Sequence, residues 1–152
     1  MHFTIPGQDP FTIETLILDL NGTLAIDGIL VPGVAERIEA LREQLHIILF
    51  TGDTQGNAHA IARELTIEVR VTPDASAKAE EAKKLHPETA ATIGNGRIDL
   101  ELFKTVRLKI CVLQAEGAHR LTLLESDVVV PSVNDALDLF LKPKRLVATL
   151  RS

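Results

Sequence analysis

The sequence predicts a doubly wound α/β fold, a three-layer sandwich around a mainly parallel sheet. Three observations point there. Six short runs, residues 15–20, 46–50, 67–71, 89–93, 108–113 and 128–130, are apolar at nearly every position, as strands buried on both faces are. Amphipathic stretches lie between them at 34–44, 54–65, 75–85 and 99–104, with a shorter one after Gly117, and read as crossover helices. Polar, glycine-containing clusters directly follow three of the runs, where such a sheet opens its ligand crevice.

In chain order, residues 1–14 come first. Their runs 2–5 and 11–13 flank Pro6-Gly7-Gln8-Asp9-Pro10, so a short hairpin is expected, covering an edge or adding strands. The strand and helix alternation occupies the middle of the chain. Segments 133–141 and 143–150 read as two helices split at Pro143, a good first-turn residue, so 142–152 carries a C-terminal helix. No repeat, low-complexity tract or linker divides the chain, and residues 1–152 are expected to form a single domain.

Composition narrows the function classes. A chain of 152 residues, 45% hydrophobic and 24% charged, suits one globular domain with a proper core. Its formal charge of −5 gives no electrostatic footprint for nucleic acid, and the clustered bases Lys142, Lys144 and Arg145 sit in the C-terminal segment. No apolar run approaches the roughly 20 residues that span a bilayer, and no basic-then-apolar leader opens the sequence, so a cytoplasmic protein without membrane insertion is expected. The single cysteine, Cys111, excludes an internal disulfide and lies in an apolar strand, where packing is its expected role. His2, His46, His59, His86 and His119 lack metal-site spacing, and His46, opening a buried strand, reads as structural. Neither a P-loop Lys-Ser/Thr ending nor a Gly-x-Ser-x-Gly elbow occurs, which sets aside nucleotide-kinase and serine-hydrolase chemistry.

The strand-tip clusters carry the chemistry. The first is Asp19-Leu20-Asn21-Gly22-Thr23. A carboxylate at a strand tip, followed by a loop whose N–H groups can gather round an anion, suits a nucleophile that attacks phosphorus and holds a phosphoryl group. Asn-Gly between apolar runs is equally a hairpin-turn signal. The second is Thr51-Gly52-Asp53. Thr51 offers a hydroxyl, Gly52 lets backbone approach a phosphate, and a helix follows; Asp53 or Thr54 also serves simply as that helix's N-cap. In the third, Gly94-Asn95-Gly96-Arg97-Ile98-Asp99, two glycines make a tight turn and Asp99 projects back toward the strand tips, as a Mg²⁺ ligand or as an ordinary helix-start acid.

Together, Asp-x-Asn-Gly-Thr, Thr-Gly-Asp and Gly-Asn-Gly-x-x-Asp, in that order and each after a strand, resemble the motifs of haloacid-dehalogenase-like phosphatases and of the phosphorylation domain of P-type ATPases. The resemblance covers roughly residues 15–139. It implies that Asp19 is the nucleophile, that Thr51 and Gly52 bind the transferring phosphoryl group, and that Lys78, seven residues before Leu85, neutralises both. Lys83 and Lys84 read as solvated charges. Mg²⁺ is the implied cofactor, on Asp19, the backbone carbonyl of Asn21 and Asp99, with Asn95 beside them to position a water or ligand.

Two departures bear on rate. Asn21 stands where phosphatases of the family have the acid/base Asp, and P-type ATPases have Thr. Asn carries no proton, and losing a general acid/base costs about 10²–10⁴-fold. Asn95 stands where the family has Asp, and Ile98 where P-type ATPases have Asn, which removes charge near the metal. The spacing from Asp19 to Thr51 and from Thr51 to Lys78 leaves no room for an inserted cap, so the site is expected to be open. Residues 25–31, around Asp27-Gly28, resemble the small β-flap of this superfamily. Capless relatives act on large substrates or borrow a neighbouring subunit, as tetrameric sugar-acid phosphatases do, and homo-oligomerisation is expected. Leu146, Val147 and Leu150 are available to pack on this fold or on a partner. The expected activity is a slow Mg²⁺-dependent phosphatase or phosphotransferase acting on a phosphorylated small molecule or phosphoprotein. The alternative is a phosphoryl-binding or regulatory module.

Overall fold

The computed structural model describes residues 1–52 and 56–152. Asp53 and Thr54, discussed above as helix-capping residues, lie outside them. Among the described residues ten strands and seven helices follow in order: β1 (His2–Phe3), β2 (Phe11–Thr12), β3 (Thr15–Asp19), β4 (Ala25–Ile26), β5 (Ile29–Leu30), α1 (Val34–Leu41), β6 (His46–Thr51), α2 (Ala58–Leu65), β7 (Glu68–Val71), α3 (Ala75–Lys83), β8 (Ala90–Gly94), α4 (Leu100–Thr105), β9 (Leu108–Val112), α5 (Arg120–Glu125), β10 (Val128–Val130), α6 (Val133–Leu141) and α7 (Pro143–Leu150). Short 3₁₀ turns precede β8 and α4.

Six strands form one parallel sheet in the order β10-β9-β8-β3-β6-β7. The chain starts at the centre, winds out through β6 to β7, then crosses back to β8 and winds out the other way. Connections moving in opposite directions must lie on opposite faces if both are right-handed. Accordingly α1 packs on α2 and α6, while α3 packs on α4 and α4 on α5. The strand order reverses between β3 and β8, and a ligand crevice is expected at the carboxyl ends of those strands.

Burial explains the elements. Leu16 and Leu18 of β3, Ile47 and Leu49 of β6, and Ile110 and Val112 of β9 face a large apolar cluster filled by Val34, Ile38 and Leu41 of α1 and by Ala136, Leu137 and Phe140 of α6. The alternate residues Ile17, Ile48 and Phe50 meet Ala82 of α3 and Leu102 of α4. Cys111 is buried, as its strand position requires. Asp74 caps α3 by accepting from the Ala77 N–H at 2.8 Å, and the Ser132 hydroxyl caps α6 from the Asp135 N–H at 3.1 Å.

The ends settle two open points. β1 and β2 pair antiparallel as their own two-stranded sheet, adding nothing to the main one; Phe3, Ile5, Phe11 and Ile13 instead cover the large cluster. Leu146 of α7 is buried in that cluster, with Val147 and Leu150 packed against it, so α7 packs on this fold. His46 opens the buried strand β6 with its own side chain about half exposed, where Nε2 lies 3.0 Å from Glu68 Oε2.

Candidate active site

Strand alternation places the central carboxylate. Leu16 and Leu18 face α1 and α6, Ile17 faces α3 and α4, so Asp19 at the end of β3 turns toward α3. There it meets Lys78, the fourth residue of α3 and wholly buried. Lys78 Nζ donates to Asp19 Oδ1 at 2.6 Å and to Asp99 Oδ1 at 2.7 Å. The other Asp99 oxygen, Oδ2, accepts from the N–H groups of Asn95 at 3.1 Å and Gly96 at 2.9 Å. Asp99 thus closes the turn after β8 and fixes Lys78 from below. Only glycine fits at position 94, since a Cβ there would stand 2.7 Å from Asp99 Oδ2.

Two carboxylates against one ammonium leave this buried triad one negative charge in excess. Burial, then the Asp99 charge, push the Asp19 carboxyl up to about 6 against the pull of Lys78. Burial alone would lower Lys78, but the charges of Asp19 and Asp99, with a hydrogen bond to each, outweigh it and hold the ammonium above the ordinary lysine value. Asp19 is therefore a carboxylate poised near neutrality beside a fixed cation.

The loop after β3 is fastened from three sides. The Thr23 hydroxyl bridges Asp19 Oδ2 at 3.4 Å and Asn95 Oδ1 at 3.3 Å. Gln114 Nε2 donates to the carbonyls of Gly22 and Thr23, both at 2.9 Å, while its Oε1 accepts from the Val133 N–H at 2.8 Å. Asn95 Nδ2 donates to the Gly117 carbonyl at 2.9 Å. Gly22 has φ +79°, and a Cβ on it would run into the Glu116 carboxylate and the Asn95 amide, so glycine is needed on both counts.

These residues surround a cavity of about 390 Å³ at the carboxyl end of the sheet. Asp19, Asn21, Thr51, Gly52, Lys78 and Asn95 line it together with Pro73, Gly96, Ile98 and Glu116. Of the seven residues singled out in the sequence, only Asp99 does not line it: it is fully buried behind Lys78. Lys83 and Lys84 are exposed on the far side of α3, in ion pairs with Glu80 and Glu81. No cap covers the cavity among the described residues; the hairpin β4–β5, turning on Asp27 and Gly28, presents Ile29 at 72% exposure.

The cavity wall offers oxygen donors: Asp19 Oδ2, which Lys78 does not hold, Asn95 Oδ1 and the Glu116 carboxylate. Oxygen-only ligation suits a hard cation such as Mg²⁺. Among the described residues no three His, Cys, Asp or Glu side chains form a metal-holding group, so such an ion would draw on amide, backbone and water oxygens besides Asp19. Sequence reading passed over Gln114 and Glu116. Their signal was position: they follow the run 108–113 directly, at a fourth strand tip.

Over 73 residues, 47% of its length, the chain is 51% identical to an uncharacterized protein of Methanocaldococcus jannaschii, covering 78% of that protein. Its fold resembles the 3-deoxy-D-manno-octulosonate 8-phosphate phosphatase of Moraxella catarrhalis, solved with magnesium, phosphate and sugar, at a TM-score of 0.72 and 19% identity, over 91% of this chain and 94% of that one. The cobalt-bound deoxy-D-mannose-octulosonate 8-phosphate phosphatase of Haemophilus influenzae resembles the fold with a TM-score of 0.72 at 15% identity, over 93% of this chain and 94% of that one. Residues 5–106 match the haloacid dehalogenase-like hydrolases, and with two thirds of its length inside that match and its strand-tip motifs gathered on one cavity, the chain belongs to that family.

Proposed function

We propose that the chain is a slow, Mg²⁺-dependent phosphohydrolase that works through an aspartyl phosphate on Asp19. The observation that carries this reading is the Asp19 carboxylate at the cavity floor, held 2.6 Å from a buried ammonium. One Asp19 oxygen attacks phosphorus, and the bond from phosphorus to the leaving oxygen breaks. Lys78 offsets the charge that accumulates on the phosphoryl oxygens, and Thr51 with Gly52, at the tip of β6, orients them. When bound, Mg²⁺ would supply further charge stabilisation, held by Asp19, the Asn21 carbonyl and Asn95. Asn21 carries no proton, so the leaving oxygen is protonated from water and hydrolysis of the aspartyl phosphate lacks a base at that position. A phosphorylated small molecule or a phosphoprotein fits the open cavity, and a second copy of the chain covering the exposed flap at Ile29 would close it.

Asn21 also favours a second reading, in which the phosphorylated chain persists and is read by a partner, as in a soluble relative of the P-type ATPase phosphorylation domain. Phosphate release from a generic phosphomonoester with Mg²⁺ separates the two. The hydrolase reading expects slow release by the parent, none by Asp19→Asn, and a gain of at least about tenfold in Asn21→Asp. Release by Asp19→Asn at the parent's rate would sink it, and an unchanged Asn21→Asp would favour the second reading.

A further inference from the structure

We propose that Glu116 is a ligand of the Mg²⁺ site, supplying from the loop after β9 the negative charge that Asn95 lacks. The inference rests on the Mg²⁺-dependent reading above and goes beyond it in naming a ligand on a fourth strand tip.

Charge comes first. Asp99 faces away from the cavity with one oxygen on Lys78 and the other on two backbone N–H groups. Asp19 shares the same ammonium. Among the described residues, the cavity wall without Glu116 therefore holds a single carboxylate, already partly neutralised. Mg²⁺ is commonly held by one or two carboxylates plus substrate phosphate, and a dication beside a half-neutralised one is poorly compensated. Among the described residues, Glu116 is the remaining acidic side chain on the cavity wall, and its carboxylate makes no hydrogen bond or ion pair.

Geometry comes second. The point a Gly22 Cβ would occupy touches Glu116 Oε2 and lies 2.5 Å from Asn95 Nδ2 and 2.9 Å from Asn95 Oδ1. The carboxylate therefore stands within about 5 Å of the Asn95 amide. From Asn95 Oδ1 the line of oxygens continues through the Thr23 hydroxyl to Asp19 Oδ2. The loop is fastened to this wall on both sides of Glu116, the Gln114 side-chain amide donating to the Gly22 and Thr23 carbonyls and the Gly117 carbonyl accepting from the Asn95 amide. The loop thus brings its carboxylate to within about 5 Å of the amide that stands where the family has Asp, and Gly22 leaves the space between the two open.

The test is Mg²⁺ titration of the full chain by calorimetry, with Glu116→Gln, Asn95→Asp and the double variant, each checked for parental thermal unfolding. Glu116→Gln is expected to weaken Mg²⁺ binding by at least about tenfold. Asn95→Asp in the Glu116→Gln background is expected to restore it to within a few-fold, which a merely structural role for Glu116 would not allow. Parental Mg²⁺ affinity in Glu116→Gln overturns the proposal while leaving the Mg²⁺-dependent reading intact. If that variant also turns over more slowly, Glu116 is an acid/base rather than a ligand, and the proposal again fails. No Mg²⁺ binding by the parent overturns both.

Discussion

The two faces of the sheet are built differently. Toward α1, α2, α6 and α7 lies an apolar cluster that runs from Phe3 in the N-terminal hairpin to Leu146 near the C-terminus. Toward α3 and α4 only seven buried apolar residues cluster among the described residues, and the space at the strand tips is taken by Asp19, Lys78 and Asp99. One face supplies dry burial, at roughly 25 cal/mol per Å² of apolar surface; the other spends part of that on a buried ion triad whose members are safe only together. Stability and chemistry are thus carried on opposite sides of the same strands, and β3 serves both because its residues alternate.

Substitutions can break this division. Lys78→Met should cost most, about 3–5 kcal/mol, because it leaves Asp19 and Asp99 buried without their counter-charge. Adding Asp19→Asn to that variant should recover part of the loss in urea unfolding. An equal loss in both would show that Lys78 acts through packing alone. On the other face, Leu137→Ala, at a fully buried position of α6, should cost about 2–5 kcal/mol while leaving the chemistry of the folded fraction unchanged. A parallel fall in activity per folded molecule would deny that the faces are separable.

A smaller effect sharpens the contrast through pH. The Asp19 carboxyl titrates at about 6 in the fold against 3.8 in a free chain. A raised carboxyl contributes stability that is present below the unfolded value and lost as pH rises through the folded one. In metal-free buffer the parent should therefore gain stability as pH falls from about 6 toward 4, relative to Asp19→Asn. Phosphorylation of Asp19 runs the other way, increasing with pH, since the ionised carboxylate is the nucleophile. Identical pH profiles of unfolding for parent and Asp19→Asn would place the carboxyl at its ordinary value. Least of all, Arg37→Ala should cost about 1 kcal/mol or less, because the Arg37–Asp138 pair at 2.9 Å joins α1 to α6 at a partly solvated edge. That pair is lost in acid, since Arg37 lowers the Asp138 carboxyl and its contribution fades as pH falls through that lowered value.

The sheet was legible because parallel strands covered on both faces leave long apolar runs, and all six runs became strands with ends shifted by at most one residue. The flap was legible from Asp27-Gly28, whose residues both take positive φ. The site was half legible. Strand-tip motifs anticipated Asp19, Asn21, Thr51, Gly52 and Asn95 around one cavity, and the family resemblance added Lys78, but spacing carries no information about which way Asp99 turns. Its direction depends on two N–H groups of its own loop and on a lysine 21 residues away. Glu116 was hidden for a different reason. A lone Glu-Gly after a strand matches no motif, and only the fold brings it against Gly22, on the other side of β8.

The central claim is that Asp19 accepts a phosphoryl group, and intact-protein mass after incubation with acetyl phosphate and Mg²⁺ tests it most directly. The aspartyl-phosphate mechanism predicts a single phosphoryl adduct, or steady release of phosphate, in the parent and neither in Asp19→Asn. An adduct that survives in Asp19→Asn, or a parent that forms no adduct and releases no phosphate, would contradict it.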